Sequence, residues 1–170
     1  MNNITQVWLK PHFEAIPTDL KEQPWAVWIA EPRNGKPSKF NKIPRNPISG
    51  QRVGTDKPKL FGTFEEAKKA YENGNYTGVG ILLTGNGIIG VDIDDCKITF
   101  ANQVTIKQWV IDAIKLGAYC EYSPSGNGLR LFMYGNLPDK GRKAGSVEIY
   151  DNVRFLTVTG HVVDKLSRWA

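Results

Sequence analysis

The chain has 170 residues, 41% hydrophobic and 23% charged, with a net charge of +5. That length holds one domain with a real core and is short for two, so residues 1–170 are expected to form a single domain. No run approaches the roughly 18 apolar residues of a membrane span, and Met1 to Pro11 has no apolar signal-type run, so a cytoplasmic protein without membrane attachment is expected. Cys96 and Cys120 lack CxxC spacing, which excludes a four-ligand structural zinc site and leaves two thiols in a reducing compartment.

In chain order, Trp25 to Ala30 is a short apolar run ending at Glu31-Pro32, which reads as a buried strand. Residues Glu31 to Gly62 are rich in Pro, Gly, Asn and Lys and read as turns and long loops. Between Arg33 and Lys59 lie Arg33, Lys36, Lys39, Lys42, Arg45, Arg52, Lys57 and Lys59, against the single acid Asp56. Such a one-sided stripe suits either phosphate contacts or a solvated basic loop. Thr63-Phe64-Glu65-Glu66 is a capping box, predicting a helix to about Glu72 that Asn73-Gly74 closes.

Val79 to Leu83 is a second apolar strand, and Gly85-Asn86-Gly87 predicts a hairpin turn into a return strand over Ile88 to Asp94. Val104, Ile106, Trp109, Val110, Ala113 and Ile114 recur at helical spacing, ended by Gly117. Strands follow at Ala118 to Ser123, Leu129 to Tyr134, Ser146 to Tyr150 and Phe155 to Thr159. The pattern is α+β with a mainly antiparallel sheet. Trp169 so near the end of the chain leads us to expect a longer polypeptide.

Asp92 and Asp94 flank Ile93 on a predicted strand, so both project to one face. Two residues along a strand is about 6.6 Å, close enough for both carboxylates to converge on one divalent ion or bridge two. Left without a cation, two such charges about 4 Å apart repel by roughly 4 kcal/mol at an effective dielectric of 20. Hard oxygen donors suit Mg²⁺ or Mn²⁺. The alternative is a strand end entering a polar turn. Glu148, between Val147 and Ile149, sits where glutamate is disfavoured. It is either a third carboxylate for the same metals or an outward-facing strand residue.

Ser123-Pro124-Ser125-Gly126-Asn127-Gly128 links two strands. Gly126 and Gly128 permit positive φ, which can turn N–H groups toward an anion, while Ser123 and Ser125 add hydroxyl donors. Arg130 on the outgoing strand can fork onto phosphate oxygens. The same stretch also suits a plain hairpin turn. It is not a Walker A loop.

The order DID, SPSGNGLR, VEIYD, RFLTVTGH, with KIPRNP, TFEEA and GVGILLTG upstream, resembles the phage and plasmid primase-polymerase branch of the archaeo-eukaryotic primases, over about Trp25 to His161. The resemblance implies an archaeo-eukaryotic primase-like fold, with an N-terminal α/β subdomain and an RRM-like sheet. It implies Asp92, Asp94 and Glu148 as catalytic ligands of two Mg²⁺ or Mn²⁺ ions. It places the nucleotide phosphates on Ser123 to Gly128, Asn127 included, and directs Arg154 to the nucleotide and Lys42 to nucleotide or template. One departure stands out. Arg130 replaces the family's usual histidine, so a phosphate contact is kept and a proton shuttle near neutral pH is not. His12 and His161 are expected to be structural or incidental.

The expected function is template-dependent nucleotidyl transfer, as primer synthesis or DNA extension, in phage, plasmid or mobile-element replication inside a bacterial host. Partners would be a single-stranded DNA template and NTPs or dNTPs, with a helicase domain further along the same polypeptide. A different class is a catalytically weakened DNA- or nucleotide-binding module attached to a replication helicase, which Arg130 and the basic stripe would suit. A metal-dependent nuclease is a third.

Overall fold

The computed structural model describes residues 6–94, 98–100, 103–105 and 108–163. After a 3₁₀ turn at Phe13–Ala15 come helix α1 (Thr18–Lys21), strands β1 (Trp25–Arg33) and β2 (Lys36–Arg45), and a second 3₁₀ turn at Pro58–Leu60. Helix α2 (Phe64–Asn73), β3 (Gly78–Thr84), β4 (Ile88–Ile93), β5 (Ile98–Phe100), β6 (Gln103–Thr105) and α3 (Gln108–Lys115) follow. The chain then runs through β7 (Tyr119–Tyr122), β8 (Leu129–Tyr134), β9 (Arg142–Ala144), β10 (Val147–Tyr150) and β11 (Asn152–Val158).

The strands form a four-stranded sheet in the order β11-β3-β1-β2, a five-stranded sheet in the order β7-β8-β4-β10-β9, and a β5-β6 pair. The ladders are antiparallel. The mixed α+β expectation therefore holds at the level of class.

One apolar cluster joins the two larger sheets. It packs Trp25, Val27, Val79, Ile81, Leu83, Leu156 and Val158 of the first sheet with Ile88 and Phe132 of the second, and with Phe64 and Ala67 of α2. Gly90 faces this cluster. A Cβ there would stand 3.0 Å from the Leu83 Cδ1 and closer still to Leu156, so only glycine admits this approach of the sheets. On the second sheet's other face, Ile89, Val91, Ile93, Leu129 and Leu131 pack against Val110 and Ile111 of α3.

The local signals gave what they predict. Thr63 accepts from the Glu66 N–H while Glu66 accepts from the Thr63 N–H, which completes the capping box. Helix α3 closes on Gly117 at φ 95°, with Gly117 N–H to the Ile114 carbonyl and Ala118 N–H to that of Ala113, both 3.0 Å. That pair of bonds is the Schellman arrangement.

Three expectations are corrected. Residues 36–45 form the long edge strand β2, not loop, paired with β1 across Asn34-Gly35. Second, Gly85-Asn86-Gly87 joins no hairpin: β3 pairs β1 and β11, while β4 pairs β8 and β10. Both runs are buried on both faces over most of their length, so each suits an interior place, and the turn hands the chain from one sheet to the other. Third, the helical pattern begins too early. Val104 lies on β6, α3 starts at Gln108, and Trp109 is exposed. Ile106, Asp95, Cys96 and Lys165 to Ala170 lie outside the described residues, while Cys120 is a buried thiol.

Candidate active site

On the face of the second sheet that meets the first, each strand changes character along its length. Strand β4 presents Ile88, Gly90 and Asp92, β8 presents Tyr134, Phe132 and Arg130, β7 presents Tyr119 and Glu121, and β10 presents Tyr150 and Glu148. The ladder register aligns these changes. Glu121 pairs with Arg130, Arg130 with Asp92, Asp92 with Glu148, and Glu148 with Lys143 of β9. Five charged side chains thus run in one row across five strands, about 4.8 Å apart. The row lies where the apolar inter-sheet core ends.

Two carboxylates opposite each other in a ladder repel. Here cations flank both. The Arg130 Nη2 stands 3.3 Å from each Asp92 oxygen. Glu148 is held by Lys143 and Arg154, with the Tyr150 hydroxyl donating at 3.2 Å. The Arg154 guanidinium also lies 4.4 Å from the centre of the Tyr150 ring. Burial pushes the Asp92 carboxyl up, but the charges of Arg130, Lys42 and Arg154 outweigh it and leave Asp92 below its ordinary pKa. Burial likewise opposes ionisation of Glu148, and Lys143, Arg154 and the Tyr150 hydroxyl overcome it.

Asp94 follows directly after β4. It is exposed, and its N–H donates to the Ser146 carbonyl at 2.8 Å. Its field reaches both Lys42 and Lys143. Lys42 comes from β2 of the other sheet and feels Arg130, Asp92 and Asp94. Burial, and then the Arg130 charge, lower its pKa to about 8 against the pull of the two aspartates. The structure thus brings Asp92, Asp94, Glu148, Arg130, Arg154 and Lys42 into one neighbourhood.

The three acids nevertheless do not converge. Among the described residues, no group of three His, Cys, Asp or Glu side chains stands close enough to hold a metal ion. The Asp92 oxygens face Arg130 and those of Glu148 face Lys143, Arg154 and Tyr150. As chemistry the donor set still fits a hard divalent cation: two carboxylates paired across neighbouring strands, both with lowered pKa, and a third just past the end of β4.

The serine-glycine loop closes on itself. The Ser123 hydroxyl accepts from the Gly128 N–H at 3.0 Å and lies 3.2 Å from the Ser125 hydroxyl. The Gly126 N–H donates to the Ser123 carbonyl at 2.7 Å, and the Asn127 N–H points to the Ser125 hydroxyl at 3.5 Å. Gly126 takes φ 73°, whereas Gly128 is not in the left-handed region. Gly128 is needed for another reason: a Cβ there would lie 2.6 Å from the Ile93 carbonyl oxygen. The loop is thereby pressed against the end of β4, next to Asp94. Asn127 is the exposed tip, and Ser123 is buried.

Arg130 lies deeper than its sequence setting implies. It is 2% exposed, and its Nη1 donates to the Thr157 carbonyl of β11 at 3.0 Å. Beyond it, Glu121 is fully buried. It accepts from the Thr159 N–H at 2.9 Å, the Gly160 N–H at 2.8 Å and the Tyr119 hydroxyl at 2.8 Å. Burial pushes the Glu121 carboxyl up despite these donors, and burial beside Glu121 raises the Tyr119 hydroxyl strongly. Sequence reasoning missed Glu121, Tyr119 and Lys143. For Glu121 a signal existed, an acid inside a strand, the same feature that singled out Glu148.

An N-terminal strap crosses this end of the molecule. Leu9 N–H donates to the Pro124 carbonyl at 2.8 Å and His12 N–H to that of Thr159 at 2.7 Å. Trp8 packs edge-on to Trp28 and Phe40, with ring centres 5.5 and 5.4 Å apart. His161 contacts the Lys10 carbonyl at 2.7 Å, a structural place as expected.

With this geometry in hand, the chain can be compared with known proteins. It is 29% identical over 148 residues to the DNA primase-polymerase of Nitratiruptor phage NrS-1, an alignment that covers 82% of this chain. The similarity supports a primase-polymerase relationship. The chain spans 19% of that relative's length. No protein-family model matches it. Among the described residues, no helix is long and apolar enough to cross a membrane.

Proposed function

We propose that this chain is the catalytic domain of a primase-polymerase, with the archaeo-eukaryotic primase-like fold, and that it extends or starts strands on a single-stranded DNA template from NTPs or dNTPs. The observation that carries the reading is the ladder pair Asp92–Glu148, with Asp94 at the strand end and Arg130, Lys42, Lys143 and Arg154 around the pair, in a chain similar to a phage primase-polymerase. On this reading the protein would work in replication inside a bacterial host, as part of a longer polypeptide that includes a helicase.

Asp92, Asp94 and Glu148 would hold Mg²⁺ or Mn²⁺, which supplies a lowered pKa for the attacking 3′-hydroxyl and charge neutralisation for the leaving pyrophosphate. The chain's own groups do the rest. Arg130 and Lys42 keep Asp92 ionised at neutral pH. Lys42, Lys143 and Arg154 present positive charge where a triphosphate would lie, and each keeps some solvent access. With Glu148 engaged as a metal ligand, Lys143 and Arg154 would be available to phosphate oxygens. The loop Ser123 to Gly128 shapes the floor beside Asp94, with Asn127 and Ser125 at its open side. The basic hairpin residues Arg33, Lys36 and Lys39, all exposed, suit a template backbone.

A specific observation favours a second reading. Asp92 and Glu148 are ion-paired, and no three-acid group stands ready for a metal among the described residues. That state suits a binding module that holds DNA or nucleotide without catalysis. One experiment separates the two. The chain is incubated with primed and unprimed single-stranded DNA, labelled NTPs or dNTPs, and Mg²⁺ or Mn²⁺, beside Asp92→Asn and Glu148→Gln. Synthesis that both substitutions abolish supports the enzyme. Nucleotide or DNA binding without synthesis under every condition supports the module.

A further inference from the structure

We infer that Arg130 is a positioning residue that fixes Asp92 and ties the two sheets together, and is not a contact to the nucleotide phosphates. The inference rests on the reading of Asp92 as a metal ligand and deepens it. A phosphate contact needs a guanidinium with an open face, and Arg130 is 2% exposed. Both its terminal nitrogens are committed: Nη1 to the Thr157 carbonyl of β11 at 3.0 Å, and Nη2 to both Asp92 oxygens at 3.3 Å. Its Nε is buried with no hydrogen-bond partner among the described residues, so the fork alone anchors it.

What lies behind Arg130 closes the retreat. Its ladder partner on the side away from Asp92 is Glu121, fully buried and pinned by two backbone N–H groups and the Tyr119 hydroxyl. To reach a phosphate, the guanidinium would have to leave the Thr157 carbonyl and break its ion pair with Asp92, and breaking such a pair inside the fold is penalised strongly. A planar fork with fixed donor directions is the group that can hold a carboxylate and a carbonyl on another sheet at once; lysine, a single flexible point charge, cannot. Phosphate binding then falls to Lys42, Lys143 and Arg154, which keep solvent access.

The test uses the whole chain and two probes, Mn²⁺ binding followed by titration calorimetry and dATP binding in EDTA. The variants are Arg130→Met, Arg130→Lys, Asp92→Asn, Lys42→Met and the Arg130→Met/Asp92→Asn double, each checked by urea unfolding. Groups that orient a metal ligand typically carry 10–100-fold in metal affinity, so a loss of about that size is expected in Arg130→Met. Arg130→Lys should fall between it and the unsubstituted chain. The double variant should bind Mn²⁺ no worse than the weaker single, because both act through one carboxylate. Binding of dATP should be unchanged in Arg130→Met and lost in Lys42→Met.

Arg130→Met that keeps Mn²⁺ affinity, or tightens it, and loses dATP would overturn the inference. If Arg130→Met fails to fold, Arg130→Lys carries the same test, since it keeps the charge and loses the fork. Asp92→Asn separates the two levels. If Mn²⁺ binding is absent or indifferent to Asp92→Asn, the metal reading falls and this inference with it. If Asp92→Asn weakens Mn²⁺ and neither Arg130 variant does, only the inference falls.

Discussion

Replacing Glu121 should destabilise the fold more than replacing any of the exposed acids, and the two simplest replacements should differ in a fixed order. Glu121 is 0% exposed and satisfies the Thr159 N–H, the Gly160 N–H and the Tyr119 hydroxyl. Glu121→Ala leaves two buried N–H groups without acceptors, at roughly 1–3 kcal/mol each. It also leaves the Tyr119 hydroxyl without its acceptor, so a loss of about 2–6 kcal/mol is expected, a large part of a typical domain's stability. Glu121→Gln keeps the shape and one oxygen, but its amide NH₂ must face one of the two N–H donors, so about 1–3 kcal/mol is expected. Urea unfolding gives both values as shifts of midpoint at constant slope. Amide exchange should accelerate at both Thr159 and Gly160 in Glu121→Ala and at one of them in Glu121→Gln, because those N–H groups lose their acceptor. A Glu121→Ala chain within about 1 kcal/mol of the original would refute the reasoning, as would Glu121→Gln being the less stable of the two.

Lys42 is charged below about pH 8 and neutral above it, so dATP affinity should fall as pH rises through that value, by at most about tenfold per unit, and Lys42→Arg should remove the fall. Asp92 and Glu148 have lowered pKa values when folded. Their contribution to stability is therefore present above their ordinary values of 3.8 and 4.5 and lost as pH falls through the folded ones, so the urea midpoint should drop at acid pH, and drop less in Asp92→Asn. Gly128→Ala would set a Cβ 2.6 Å from the Ile93 carbonyl oxygen; it should cost about 1–3 kcal/mol as an overpacked site and weaken dATP binding, whereas Gly126→Asn, at φ 73°, should be tolerated by both measures. Neutralising Arg33, Lys36 and Lys39 together should reduce the salt dependence of single-stranded DNA binding by roughly two units of slope, at about 0.7 per phosphate contact; an unchanged slope would remove the hairpin from the DNA path.

The local elements were legible because their causes are local. A capping box, a glycine stop and an alternating strand each depend on fewer than a dozen neighbouring residues, and α2, the end of α3 and β8 follow them closely. Strand β2 was hidden by composition: KPSKFNKIPR is poor in β-formers, and only its pairing with β1 makes it a strand. Its Asn34-Gly35 turn was a hairpin signal that went unread. The β3–β4 turn shows the opposite error, a good local hairpin signal overruled because each strand takes an interior place in a different sheet. Within the site, Asp92 and Asp94 could be found by alternation along one strand. That Arg130, Glu148 and Lys143 stand in line with Asp92 depends on the registers of three ladders, which no local pattern fixes. Arg130 on its motif position reads as an exposed phosphate contact. Its depth between the sheets, at 2% exposure, depends on packing that no local pattern encodes.

The row also explains why so many cations surround so few acids. Arg130 is buried and faces Asp92 from inside, so its charge is spent within the fold at every step. Lys143 and Arg154 face Glu148 from the solvent side, with 60% and 40% of their side-chain surface exposed, and can exchange that carboxylate for another anion with little reorganisation. A carboxylate held from inside keeps its place when the outer ions change, whereas one held only from outside is free to turn. Asp92 is therefore the fixed point of the site and Glu148 the adjustable one. Substituting Lys143 or Arg154 should accordingly change dATP binding more than stability, and substituting Arg130 should change stability and Mn²⁺ affinity but not dATP binding.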